Sequence, residues 1–153
     1  MTIDSLIANV SLMYEQLTNG TILSEIIREN EPYIIDMNTQ SQLWERGINT
    51  AGVEIMDYKP YSPLTIQIKM ETGQPYNRVT LHDTGDFYSS FYIETHDDSF
   101  DIKASDWKTA GLIRKYDRRI LGLTAENKNE LAWEYVYPDA LDKIKNIIYE
   151  DTR

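Results

Sequence analysis

Asp83-Thr84-Gly85, in the run Leu81-His82-Asp83-Thr84-Gly85, is the place where this sequence comes nearest to recognisable chemistry. An apolar-apolar-glycine triplet, Ile120-Leu121-Gly122, begins 37 residues after Asp83. Two aspartates about 3 Å apart in a dry cleft share one proton, because like charges that close cannot both ionise, and such a pair can drive hydrolysis. The flanking residues speak against that use. His82 stands where an apolar residue would bury the loop, and Asp86 adds another negative charge beside it. The structural alternative is that Asp83 or Thr84 caps a short helix over 85–91, with Gly85 allowing the tight turn into it.

The pair of signals resembles that of retroviral-type aspartic proteases, where the chain between them is nearly all strand. Here 106–122 is rich in charge and poor in alternation. Other chemistry is thinner still. With no Cys there is no disulfide framework, thiolate metal site or Cys nucleophile. The two histidines, His82 and His96, are too few for a His-rich metal site; His96 is expected to be solvated in a turn, and His82 to be structural. Glycines are isolated, without a phosphate-cradling loop or a nucleophile elbow. No catalytic residue, cofactor or metal is assigned.

The elements that position these residues belong to 153 residues, one domain's worth, 41% apolar and 26% charged. Leu6, Val10, Met13 and Leu17 predict an inward stripe on a helix over 4–18, stopped at Asn19-Gly20. Thr21 is expected to cap a second helix, 22–30, with Ile22, Leu23, Ile26 and Ile27 inward. A third helix runs to about Arg46 with Gly47 after it, across the polar run 38–42. Val53, Ile55 and Tyr58 alternate as a short strand would. Ser62 and Pro63 open a helix ending near Glu71, although Leu64, Ile66 and Ile68 also alternate as in a strand. Phe91–Thr95 and Phe100–Ala104 form a hairpin about His96–Ser99. Helical signals return from Asp106, with Thr124 capping 125–136 and Pro138 opening a last helix that turns Leu141, Ile144 and Ile148 inward. The reading is α+β in a single domain, 1–153: helical 1–47, a sheet-containing middle 53–104 and helical 106–150.

Charge is distributed unevenly. Fifteen basic against 25 acidic residues leave −10, which argues against a freestanding nucleic-acid binder, since phosphate contacts need Lys and Arg. No apolar run reaches the roughly 18 residues of a membrane span, and the N-terminus does not read as a secretory signal. From Asp83 to Asp101 there are six acids and no base; from Lys108 to Arg119 there are five bases and one acid. Either these are solvated or internally paired faces, or they join copies head-to-tail: Asp97, Asp98 and Asp101 of one against Arg114, Lys115, Arg118 and Arg119 of the next. Eleven tyrosines, with Tyr58, Tyr61, Tyr76, Tyr88 and Tyr92 expected around the sheet, also suit an interface.

In order along the chain, Tyr61-Ser62-Pro63-Leu64-Thr65, then Lys69, then Val79-Thr80-Leu81-His82-Asp83-Thr84-Gly85-Asp86-Phe87, then Ser90, resemble the phage virion morphogenesis family of Mu-like phages. Its members are tail-completion or head–tail joining proteins. Arg119-Ile120-Leu121-Gly122-Leu123-Thr124 stands where that family has Arg-x-Phe-Leu-Gly-Leu-Ser/Thr before its last helical region. The match covers about residues 58–150. Phe87 replaces the usual Leu, the family's Tyr-Ala-x-x-His stretch is poorly kept around Thr109-Ala110-Gly111, and 1–50 match only as generic helices. The resemblance implies a non-enzymatic virion protein of a tailed bacteriophage. It would form a homo-oligomeric ring at the neck or tail, flanked by portal and tail proteins, through which DNA passes without specific binding. It would assemble in the host bacterial cytoplasm. An acidic cytosolic interaction adaptor is the alternative on composition alone.

Overall fold

Caps and glycines set the helix boundaries in the computed structural model, which describes residues 2–149. Thr2 and Ser5 form a capping box at the start of α1 (Ile3–Thr18). Gly20, at φ +77°, turns the chain into α2 (Thr21–Glu29). Thr21 is therefore the first helical residue and not the cap; it donates instead to Asn19 Oδ1. α3 (Glu31–Asp36), with Pro32 in its first turn, continues into a π-helix over Met37–Arg46 that ends at Gly47, φ +61°. The strand expected at Val53–Tyr58 is absent. Ile55–Tyr58 is the short helix α4, and only an isolated bridge, Ile48 to Glu54, has sheet character there. Two residues of alternation were too short a signal to set against a helical turn that buries Ile55 completely.

α5 (Pro63–Glu71) begins as the Ser62-Pro63 pair predicts, Ser62 Oγ accepting the Thr65 N–H at 3.2 Å. α6 is shorter than expected, Asp86–Ser89. β1 (Phe91–Thr95) and β2 (Phe100–Ala104) pair antiparallel, Phe91 opposite Ala104 and Thr95 opposite Phe100, and are the whole sheet among the described residues. α7 (Thr109–Tyr116) leads through a 3₁₀ turn, Arg118–Ile120, to α8 (Ala125–Glu130). A second π-helical stretch, Leu131–Val136, runs directly into α9 (Tyr137–Tyr149), so Pro138 lies within the first turn of an unbroken helical path. The expected end at residue 150 lies outside the described residues.

The architecture is α+β, mostly helical around one hairpin. α1, α2 and α9 pack on one another, and α2 and α3 lie on β1. Ile93 N–H donates to Glu31 Oε1 at 2.9 Å, so α3 covers the outer edge of β1. The core joins Ile34, Leu43, Ile55, Val79, Phe91, Ile102, Ile120 and Leu123. Helix orientation departs from expectation at both ends of the chain. On α1, Leu6 and Val10 are exposed, Met13 and Leu17 half-buried, and Asn9 is the buried residue. Leu23 and Leu141 also face outward. No helix is long and apolar enough to cross a membrane.

Candidate functional site

Two segments that the sequence singles out, Leu81–Gly85 and Arg119–Thr124, are each immobilised by polar side chains from a helix, and they are not bonded to one another. α5 holds the first. Lys69 on its last turn is 7% exposed, and its ammonium donates to Gln74 Oε1 and to the His82 carbonyl, both at 2.7 Å. It also lies 5.3 Å from the centre of the Tyr61 ring. No carboxylate neutralises it within 4 Å among the described residues. A buried ammonium is costly without partners; here two hydrogen bonds and a ring face supply them. Gln74 Nε2 donates to the Asp83 carbonyl at 3.1 Å, so Lys69 and Gln74 together pin the loop backbone. Leu81 sits at φ +56°, which a non-glycine residue adopts only when its surroundings impose it.

The side chains of that loop point in different directions. His82 lies between the rings of Trp44 and Tyr88, edge-on to both at 5.0 and 5.1 Å, with its buried Nδ1 lacking a hydrogen-bond partner. Tyr88 donates to the Thr80 carbonyl, and burial pushes its hydroxyl well above the ordinary tyrosine range. Asp83 points outward, its side chain 84% exposed and 3.4 Å from Lys108 Nζ. Thr84, rather than Asp83, accepts the Asp86 N–H at the start of α6, at 3.4 Å. Ser90 closes α6 by donating to the Phe87 carbonyl, while its own carbonyl accepts the Ser105 N–H. Beside the loop is a cavity of about 490 Å³, lined by Thr65, Lys69, Asp83, Thr84, Lys108 and Lys115 among others. Residues 63–69, 81–85 and the start of the basic segment thus meet at one place.

Arg119–Thr124 is held by the π-helix. Asn38 Oδ1 accepts the Gly122 N–H at 2.8 Å and Asn38 Nδ2 donates to the Ile120 carbonyl at 3.1 Å. Four residues on, Gln42 Nε2 donates to the Gly122 carbonyl at 2.9 Å, and Gln42 Oε1 accepts from Thr124 N and Asn127 Nδ2, both at 2.8 Å. Both amides are fully buried. In a π-helix, with its i→i+5 bonding, residues four apart stand nearly over one another, which aligns Asn38 and Gln42 along the segment. Leu121 and Leu123 flank Gly122, and Leu123 enters the core. Thr124 caps α8 through the Asn127 N–H. Asp117 Oδ1 accepts the Arg119 N–H at 2.9 Å, and this bond first, then the Arg119 side chain, holds the Asp117 carboxyl below its ordinary value. Sequence reasoning missed Asn38, Gln42 and Asn127; the signal was there, a polar run inside a helical pattern.

An aspartyl dyad braced by its glycine triplet needs a desolvated carboxylate with that triplet against it. Here Asp83 is solvated, and Ile120–Gly122 is bonded to Asn38 and Gln42 instead. Among the described residues no cluster of three or more His, Asp or Glu could hold a metal. Within the molecule the two charged segments meet only at the solvated Asp83–Lys108 pair among the described residues. Asp97 and Asp98 are exposed without ion pairs, Asp101 meets His96 at 3.2 Å, Arg119 meets Asp117, and no ion pair links the hairpin acids to 108–119 among the described residues. A groove of about 850 Å³ runs beside β2, with Asp98, Asp101, Arg118 and Lys128 among its lining residues. Compared with models of protein families, with curated proteins and with solved structures, the chain finds no match.

Proposed function

We propose that this chain is a structural subunit of a tailed bacteriophage particle, a head–tail connector or tail-completion protein that forms a ring at the neck. The observation that carries the reading is uncovered apolar surface. On α1, Ile3, Ile7, Val10 and Tyr14 are 77, 60, 41 and 67% exposed, and they follow one another at spacings of four, three and four. That is the seam a helix presents to another helix. Trp107 and Trp133 are 84 and 61% exposed besides. Monomers rarely leave contiguous apolar patches beyond a few hundred Å² uncovered, whereas assembly subunits bury them against neighbours.

The segments carrying the family resemblance fit this role. Lys69, Leu81–Gly85 and Leu121–Thr124 fix backbone positions, which an assembly surface needs in order to present the same shape in every copy. A net charge of −10 suits a conduit that DNA slides through, because like charge denies phosphates a grip. The absence of Cys suits assembly in a reducing bacterial cytoplasm. Portal and tail proteins would flank the ring and complete its assembly. Cryo-electron microscopy of purified virions is expected to place the chain in the neck or tail; particles wholly lacking it overturn the reading. The charged groove beside β2 favours a second reading, an acidic interaction adaptor, for which affinity capture would return host proteins in place of virion proteins.

A further inference from the structure

The hairpin separates two regions of opposite charge. Its turn, His96–Ser99, carries Asp97 and Asp98, exposed and without ion pairs among the described residues. At its other end, where the Ser105 N–H donates to the Ser90 carbonyl, the chain continues into Lys108 and the cavity that also holds Lys69 and Lys115. Strands of this length put the two ends roughly 17 Å apart. The turn is fixed through its backbone: Ser24 Oγ donates to the His96 carbonyl at 3.4 Å, and Gly20 lies so close to the Asp97 carbonyl that a methyl group there would sit 1.8 Å from the oxygen. The two carboxylates are therefore presented on a held turn, which lowers the ordering cost of docking. The cavity is their complement. Among the described residues Lys69 and Lys115 have no carboxylate partner within 4 Å, and Lys108 has only the solvated Asp83.

We propose that the Asp97-Asp98 turn of one copy docks in the Lys69–Lys108–Lys115 cavity of the next. The ligand class is a carboxylate pair, met by the Lys108 and Lys115 ammoniums at the mouth with the Lys69 charge behind. Because donor and acceptor are different surfaces of one molecule, the contact is heterologous and repeats, closing into a ring if the rotation per copy permits. The inference rests on the proposal that the chain assembles with its own copies, and it names the surfaces that do so.

The test uses full-length chains, which contain no native Cys. One carries Ser99→Cys at the end of the turn, the other Thr72→Cys at the cavity, so that every charge is kept. Mixed and oxidised, they are expected to form mainly the mixed disulfide, and raising salt from about 0.05 to 0.5 M should reduce it several-fold. Adding Lys108→Glu and Lys115→Glu to the Thr72→Cys chain is expected to cut linkage about tenfold, as loss of close charge pairs does. Adding Asp97→Lys and Asp98→Lys to the other chain should restore it. Linkage in statistical proportion, or none, or no rescue by the second charge reversal, overturns the docking. Sedimentation of the wild-type chain separates the two proposals. Rings without this linkage leave the assembly reading standing and remove the docking; linkage with the expected charge dependence in a chain that never closes into rings, even with portal and tail proteins, does the reverse.

Discussion

In α1, six large apolar residues stand in solvent, Ile3, Leu6, Ile7, Val10, Leu12 and Tyr14, and Asn9 is the buried one, its amide donating to the Ile148 carbonyl at 3.1 Å. In the π-helix Met37–Arg46, Asn38, Thr39 and Gln42 are buried and supply the most densely bonded polar cluster in the fold. Composition alone would exchange these two helices. The difference lies in what each one faces. α1 meets α2 and α9, whose backbone groups are satisfied within their own helices except near the ends, where Asn9 meets the Ile148 carbonyl, so its apolar stripe is free for another partner. The π-helix meets an irregular segment, Ile120–Thr124, whose backbone groups would be buried without partners unless side-chain amides met them.

The largest effect is expected where that demand is met most fully. Gln42→Ala removes three hydrogen bonds and leaves Thr124 N–H and the Gly122 carbonyl unsatisfied in the core, while Asn127 Nδ2 keeps its bond to the Met37 carbonyl. At about 1–3 kcal/mol per orphaned group, the loss should be on the order of 3 kcal/mol or more in urea unfolding. A loss below about 1 kcal/mol would mean that water takes over these groups, and the contrast between the two helices would weaken.

Gly122→Ala probes the same contact from the other side. Gly122 sits at φ +123°, and an added methyl group would stand 3.0 Å from Thr50 Cγ2. Backbone strain and crowding together should cost roughly 1–3 kcal/mol. Adding Thr50→Ser removes the crowding methyl and leaves the strain, so partial recovery on thermal unfolding is expected. Full recovery would show that the φ value is not what requires glycine here.

The opposite outcome is expected on α1. Ile7→Ser with Val10→Ser should change the stability of the isolated chain by no more than about 0.5 kcal/mol per site, the usual range for exposed positions. Assembly with copies or partner proteins should nevertheless weaken, read by sedimentation of reconstituted complexes. A large loss of stability would place this stripe inside the fold and remove the main support for the assembly reading.

These contrasts show how far the sequence could be read. The Ser62-Pro63 start of α5, the hairpin register and the Thr124 cap were legible because each is a local device whose partners lie within a few residues. The inward face of α1 was not. Two stripes, Leu6-Val10-Met13-Leu17 and Ile3-Ile7-Val10-Tyr14, overlap on one helix, and only its neighbours decide which turns in. Val53–Tyr58 failed because two alternating residues fit a strand and a helical turn equally well. At the candidate site, Lys69 and Leu81–Gly85 were singled out, but Gln74, Asn38 and Gln42 were not. Their partners lie 9, 84 and 80 residues away, beyond what spacing can express.

The smallest expected effect concerns pH and the approach to the clamped segment. Asp117 begins the 3₁₀ turn at φ +77°, and its carboxylate accepts the Arg119 N–H. That bond stabilises the ionised form, so the folded-state value lies below the ordinary 3.8. A depressed carboxyl value contributes stability that is fully present above the unfolded value and lost as pH falls through the folded one. The group is fully exposed, so solvent screening keeps the contribution slight. Wild type should therefore exceed Asp117→Asn in urea midpoint by a small, constant margin from neutral pH down to about pH 5, and the margin should close below about pH 4. A margin unchanged at about pH 3 would assign the effect to the side chain's shape rather than its charge. In that case the Arg119 carbonyl, which accepts the Thr50 N–H at 2.9 Å, is placed by the backbone turn itself, and the π-helix amides alone account for the rigidity of the segment.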